Sequence, residues 1–560
     1  MNQIIPNIEP NPSTQRRNQV AGGFLKVILA ALLLAVATEG PIPAQTINLA
    51  DDGTVLKQII IFGRHSIRAP TSEPDKLNQF SADAFPSFFG VPTGYLTPNG
   101  RQAAGLMGSY FHAYLAQQGL LTGDTNTDLA RSYFRANTIE RSYMTAANFG
   151  AGLIPGVSIP VHTFLAEEPD LVFDPLLAKV ATVDPARALA ENQGVFGSGT
   201  NLASAYSSEL SLLSQVFYPP GTQPIYPPGI PPTTNAPPGS VDPTTLPIVL
   251  TTNAPQYSTN YITGEVIGMG GLDSMVDAAD PFVMQYADGF PTNKVGWGRF
   301  TLDTLSQQTR LVTLQFRIAV RSPYLARVQS SSAASHILRS MLQVTGGVPL
   351  DGALGTPDSQ VLVIISSDGY VAGLAGLLDA HWLLPGYQPD FCPPGGALVF
   401  ELRQVTATGQ YLVRVFYTAQ TFDQLRNLTP LTLGAPPATM QLLVPGGSST
   451  TKLDVDFSTF TNLMNAAIGP EYVQSFTNEI QPIVQDPYTA RNPTNITASV
   501  SSKTLTIAWP ADHVGWTLQA QTNNLASTNW FDLPGSDTVN AVLIPINPAN
   551  TAVNYRLSLP

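Results

Sequence analysis

Gln58-Ile59-Ile60-Ile61-Phe62-Gly63-Arg64-His65-Ser66-Ile67-Arg68-Ala69-Pro70-Thr71 is the stretch that sets the fold. A short run rich in β-branched residues, closed by Gly63, predicts a buried strand, so Arg64, His65 and Arg68 emerge together at its C-terminal end. Open α/β sheets bind ligands at that end of their strands. Two guanidiniums flanking an imidazole form a local electropositive pocket. Their planar, permanently charged donors match phosphate oxygens, and the imidazole between them is a competent nucleophile. The chemistry this predicts is phosphoryl transfer through histidine.

Working outward, the 560 residues suffice for two or three domains. The formal charge is −12 and only 12% of residues are charged, which disfavours a duplex-binding surface and any general phosphate-attracting field. An anion site in this chain is therefore local. Arg16, Arg17 and Lys26 precede the apolar run Val27 to Ala37, and small and proline-rich residues follow to Ala44. That pattern predicts a secretory signal peptide over 1–44, cleaved after Ala37 or Ala44, with an uncleaved anchor as the alternative. No other segment is long and apolar enough to cross a bilayer, so the mature protein is expected to be exported, periplasmic or extracellular, with no stable membrane insertion. Cys392 is the only cysteine, which excludes an intramolecular disulfide and a cysteine-based metal site. Its expected role is that of a small buried hydrophobe.

Thr97-Pro98-Asn99-Gly100 predicts the start of a helix whose apolar face carries Leu106, Tyr110, Phe111 and Leu115. Asp128 to Asn137 reads as a strand, Glu140-Arg141-Ser142 opens a helix to Leu153, and Ser158 to Phe164 reads as another strand. His112 and His162 are taken as packing residues. Between Phe217 and Tyr261 the composition turns to Pro, Gly, Thr and Asn, which predicts a long surface excursion. Helical periodicity returns from Pro281 to Gln343, broken at Gly296-Trp297-Gly298 and at Pro323. Val361 to Ser366 is a second buried strand, ending at Ser367-Asp368-Gly369 before a helix through Leu378. Ala397 to Arg403 and Tyr411 to Thr418 read as strands at a sheet edge. From Asn492 short strands separated by Gly, Asn and Pro predict a small all-β sandwich, with Trp509 and Trp516 in its core.

Taken in order, the octapeptide from Arg64 to Thr71, Gly94-Tyr95-Leu96-Thr97-Pro98, Glu140-Arg141-Ser142 and Asp368 at a strand end resemble the histidine acid phosphatases, in the clade of bacterial phytases and glucose-1-phosphatases. Gly296-Trp297-Gly298-Arg299, Arg321 to Arg327 and Pro394 to Glu401 support the resemblance, which runs from about Asn48 to Tyr472. It implies a Rossmann-like α/β domain over 45–490, with a helical cap inserted at about 165–345 and phosphate held between the two; residues 491–560 form the accessory β-sandwich. It also implies His65 as nucleophile, Arg64, Arg68 and Arg141 as phosphate ligands, Thr71 lining the phosphate pocket, and Asp368 as proton donor. Neither metal nor cofactor is implied.

Three residues depart from the family pattern. Ser66 stands where glycine is usual, which is tolerable if its φ stays negative. Ser367 replaces the histidine of the family's His-Asp pair, so it is expected beside the phosphate with a weaker hydrogen bond than an imidazolium would give. Tyr370 replaces a common asparagine, implying an altered leaving-group pocket. The expected function is that of a secreted phosphomonoester hydrolase acting through phosphohistidine at acidic pH on a small-molecule phosphomonoester. The alternatives are a phosphate-ligand-binding protein impaired by Ser367, and an adhesion protein in which the C-terminal module makes the glycan or surface contact. No nucleic-acid partner is expected.

Overall fold

A computed structural model describes residues 52–474 apart from 79–80, 86–90, 165–168, 220–256, 260–265, 270–271 and 447–452, and residues 495–558 apart from 502, 511–512, 514–515, 523–528 and 551. The expected signal peptide and most of the proline-rich excursion lie outside the described residues.

The central sheet contains β1 (Thr54–Arg64), β2 (Ser132–Ala136), β3 (Val161–His162), β6 (Val361–Ser366), β7 (Ala397–Val405), β8 (Tyr411–Ala419), β9 (Ala438–Gln441) and β10 (Val455–Asp456). Its order is β10-β8-β7-β1-β6-β2-β3, with β9 also paired to β8. The strands β1, β6, β2 and β3 run parallel, whereas β7 to β10 pair antiparallel, so the sheet is mixed. The register decides the site. Arg64 pairs with Ser366 across β1 and β6, and Ala136 pairs with Ile365 across β2 and β6. The chain segments leaving these three strands, which carry His65, Asp368 and Arg141, therefore start side by side.

Helices cover this sheet. α1 (Pro98–Gln117), α2 (Thr125–Ala130) and α3 (Glu140–Leu153) lie in the first half of the chain. Phe111, Phe149 and Phe134 join Ile59, Ile61 and Val363 in one buried cluster, each such side chain contributing roughly 1.5–3 kcal/mol. α1 and α3 approach so closely that a Cβ on Gly108 would fall 1.9 Å from the Phe149 carbonyl oxygen, and one on Gly152 2.1 Å from that of Gly105. Between β3 and β6 the longer described elements are α4 (Pro185–Phe196), α5 (Ser207–Phe217), the ribbon β4 (Tyr257–Thr259) and β5 (Val266–Met269), α6 (Leu272–Ala287), α7 (Leu302–Ala319) and α8 (Pro323–Gly346), with a short helix at Gly199–Ala205 and a 3-10 turn at Val295–Gly298. α9 (Asp368–Leu377) follows β6 directly, and α10 (Phe457–Ala467) packs Phe460 against Phe400 of β7.

Three expectations need correction. Asp128 to Ala130 belong to α2 rather than to a strand, because Asp124 caps that helix through Thr127 and Asp128 accepts from the Thr122 and Gly123 amides. β7 lies inside the sheet, between β1 and β8, and its first seven residues are buried, as suits a strand paired on both sides. Pro281 sits inside α6, which begins nine residues upstream at Leu272. In the C-terminal region β11 (Thr497–Ser501), β12 (Thr504–Ala508) and β15 (Ala541–Pro545) form one antiparallel sheet. β13 (Thr517–Gln521), β14 (Phe531–Asp532) and β16 (Asn554–Ser558) form another. Ile507, Trp509 and Leu518 make their shared apolar centre, and Trp516 is buried as expected. Among the described residues no helix is long and apolar enough to cross a membrane.

Candidate active site

His65 leaves β1 with its backbone pinned on both sides: its amide donates to the Ser366 carbonyl at 2.8 Å and its carbonyl accepts from the Gly395 amide at 3.0 Å. The side chain is buried, and its Nδ1 lies 2.8 Å from the Ser66 carbonyl oxygen. A carbonyl only accepts, so Nδ1 carries the proton and Nε2 presents the lone pair. Burial, reinforced by Arg141, Arg64 and Arg68, holds the imidazole well below its ordinary pKa. It is therefore neutral and nucleophilic in mildly acidic solution as well as at pH 7. Ser66 is not among the positive-φ residues, so the missing glycine leaves no strain there; its amide donates to Thr145 Oγ1 of α3 at 3.0 Å.

Three guanidiniums from two segments, Arg64 and Arg68 from its own loop and Arg141 from α3, surround this imidazole. Arg64 is fully buried, donates from Nη1 to the Cys392 carbonyl at 2.6 Å, and places Nη2 2.9 Å from Asp368 Oδ2. Arg68 follows one turn of loop later, bridged through its backbone to Leu96. Arg141, in the first turn of α3, donates to the Gly94 carbonyl at 3.3 Å. Burial, with Arg68 and Arg64 nearby, lowers its pKa to about 10, so it stays charged. Glu140 steadies the same loop by accepting from the Leu96 amide at 2.8 Å. A Cβ on Gly100 would meet the Ile67 carbonyl oxygen at 2.1 Å, so α1 abuts the His65 loop only because that residue is glycine. The Nε atoms of Arg64, Arg68 and Arg141 are buried without hydrogen-bond partners among the described residues. Such cations crowd together only where an anion is to be held.

Two carboxylates face the cradle. Asp368, the first residue of α9, was expected there. Asp280 of α6 was not: its Oδ2 lies 2.8 Å from Arg68 Nη2 and its Oδ1 3.5 Å from Arg64 Nη2. No local pattern marks Asp280, because its role comes from α6 crossing the arginines 212 residues after Arg68. Ser367 is half-buried at the N-cap of α9 and its hydroxyl makes no capping bond, so it is available beside Asp368. Thr71 lies on an exposed bend and makes no hydrogen bond with the cluster among the described residues. Tyr370 donates to Asp174, tying α9 to the segment after β3. Cys392 is buried, and burial pushes its thiol up to about 12, as befits a packing residue. His112 and His162 bond the carbonyls of Leu153 and Phe134, respectively, both structural contacts away from the cluster.

Residues 55–194 match the histidine phosphatase superfamily (branch 2). Phytase AppA of Escherichia coli strain K12 is 31% identical over 400 residues, covering 70% of this chain and 87% of that protein. The glucose-1-phosphatase of Salmonella typhimurium strain LT2 is 26% identical over 441 residues, covering 78% and 98%. The solved structure of Hafnia alvei phytase in complex with tartrate aligns with a TM-score of 0.66 at 28% identity, spanning 76% of this chain and all of that one (100%).

Proposed function

The chain belongs to branch 2 of the histidine phosphatase superfamily, in its phytase and glucose-1-phosphatase-like clade, and is a phosphatase; from that premise we propose that it hydrolyses phosphomonoesters through a phosphohistidine on His65. The observation that carries this reading is the buried, neutral imidazole with its Nε2 unblocked inside a ring of three arginines. Arg64, Arg68 and Arg141 take the nonbridging oxygens, and Nε2 attacks phosphorus in line with the departing alkoxide. The Nε2–P bond to His65 forms as the P–O bond to the leaving group breaks, and the proton on Asp368 passes to the alkoxide. In the second half-reaction the Asp368 carboxylate draws a proton from water, which attacks the phosphohistidine and releases orthophosphate. Because burial and the three arginines hold the His65 pKa well below its ordinary value, acidity does not disable the nucleophile, which supports an acidic optimum.

Asp280 occupies donors that substrate would use, so a bound phosphate competes with it for Arg68 and Arg64. Ser367 donates one neutral hydrogen bond where the family has an imidazolium. The leader sequence supports export, and the C-terminal module is read as a non-catalytic accessory. The natural substrate is a small phosphomonoester; Tyr370 argues against carrying phytate specificity over. The test is to quench a reaction with ³²P-labelled aryl phosphate: an acid-labile, alkali-stable label on the wild type, absent from His65→Ala, is expected. Turnover by His65→Ala at the wild-type rate would overturn the proposal.

A further inference from the structure

We propose that a second cationic cavity, at the end of α9 opposite Asp368, is a binding site for phosphate-bearing anions. The cavity has a volume of about 640 Å³ and is lined by Gly376 and Leu377 from the C-terminal end of α9. Gly376 lies eight residues along the helix from Asp368, on the order of 12 Å at the rise of an α-helix. It lies within the range of sizes usual for small-molecule sites, roughly 300–1,000 Å³.

Its walls gather Arg187 of α4, Arg317 of α7, Arg321 just before α8 and Arg327 within it, four of the chain's 27 lysines and arginines in a molecule of charge −12. Such a concentration against the sign of the whole protein is a local device, as it is around His65. The exposed guanidiniums of Arg187 and Arg317 are held over the rings of Tyr324 at 4.1 Å and Phe196 at 5.2 Å, and neither makes a hydrogen bond or ion pair among the described residues. Their N–H edges are left for a ligand. Two further lining groups are buried and unpartnered: Nη1 of Arg321, whose residue is 8% exposed, and Oγ of Ser322, 4% exposed.

The acidic groups nearby are already engaged. Glu191 accepts from the Tyr324 amide in the first turn of α8 at 2.8 Å. Asp390 lies 2.8 Å from His381 Nδ1 and 3.6 Å from Arg321 Nη2, and Asp379 lies 3.3 Å from His381 Nε2. Four guanidiniums against these three carboxylates leave a positive balance, and the two uncommitted arginines supply the planar, paired donors that suit phosphate.

The experiment is equilibrium dialysis of ³²P-orthophosphate at low ionic strength against the full chain, the Arg187→Ala/Arg317→Ala variant and Arg141→Ala. The wild type is expected to bind two phosphates, and the double variant one, with kcat/KM for p-nitrophenyl phosphate within twofold of wild type. Arg141→Ala is also expected to retain one, in the cavity. If the active-site reading alone is wrong, the wild type binds one phosphate, which Arg141→Ala keeps and the double variant loses. Unhydrolysable inositol hexakissulphate is then added to Arg141→Ala. Displacement assigns the cavity to organic phosphate esters and retention assigns it to orthophosphate. Wild-type stoichiometry and affinity in a double variant of unchanged circular dichroism would overturn the proposal.

Discussion

Ser367 sits at the N-cap of α9, immediately before the Asp368 carboxylate that pairs with Arg64. A charge-assisted bond from an imidazolium at this position would contribute about 1.5–3 kcal/mol against about 0.5–1.5 for a hydroxyl. The deficit, on the order of 1–2 kcal/mol, corresponds to roughly ten- to thirtyfold in rate. Ser367→His is accordingly expected to raise kcat for an aryl phosphate by about tenfold; equal or lower turnover in a folded variant would show that the hydroxyl already suffices. Asp280 acts in the opposite sense, as a resident anion on Arg68 and Arg64. Asp280→Asn removes its charge while keeping its shape, so the inhibition constant of orthophosphate should fall by about tenfold, equivalent to ~1.4 kcal/mol. An unchanged or weaker inhibition would mean that Asp280 organises the arginines instead of competing for them.

At the level of elements, the contact between α6 and the start of α1 carries a titrating group. Thr97 caps α1 by accepting from the Gly100 amide, and its hydroxyl donates to Asp288 Oδ1, just beyond α6, at 2.6 Å. Burial raises the Asp288 carboxyl to about 7, and its Oδ2 has no hydrogen-bond partner among the described residues. The folded state thus holds a proton that the unfolded chain releases near pH 4. Stability from this group is present at low pH and declines as the pH rises towards 7, by on the order of 2–4 kcal/mol. Asp288→Asn keeps an acceptor for Thr97 and cannot titrate. The melting temperature of the wild type minus that of Asp288→Asn should therefore increase as pH is lowered from 8 to 5, and a difference independent of pH would refute the coupling. The pairing of β1 with β6 is the other decisive contact between elements, since a slip of one residue would turn Arg64 or Asp368 to the wrong face.

For the molecule as a whole, the C-terminal sheets draw their apolar cluster from residues 496–557 alone, and none of the candidate active-site residues belongs to them. A chain ending at residue 490 is therefore expected to keep kcat/KM for a soluble aryl phosphate within twofold, and a loss of more than tenfold would make the module part of the catalytic unit. The strands β1 and β6, the helix starts at Thr97 and Glu140, and the loop holding Arg64, His65 and Arg68 were all legible in the chain, because apolar runs, caps and adjacent charges act over a few residues. Helix α2 was misread where aspartate side chains cap their own neighbours, and β7 was misplaced because two-sided pairing leaves no unambiguous local mark. By itself the sequence determined the α/β class and the grouping of Arg64, His65 and Arg68, since these follow from periodicity and from adjacency along the chain, whereas Arg141 was expected there only from the resemblance to the family. Only the tertiary structure decided that Asp280 enters the arginine cradle and that Arg187, Arg317 and Arg321 share a cavity. Those meetings join segments tens to hundreds of residues apart, and they depend on how helices cross rather than on any pattern within one of them.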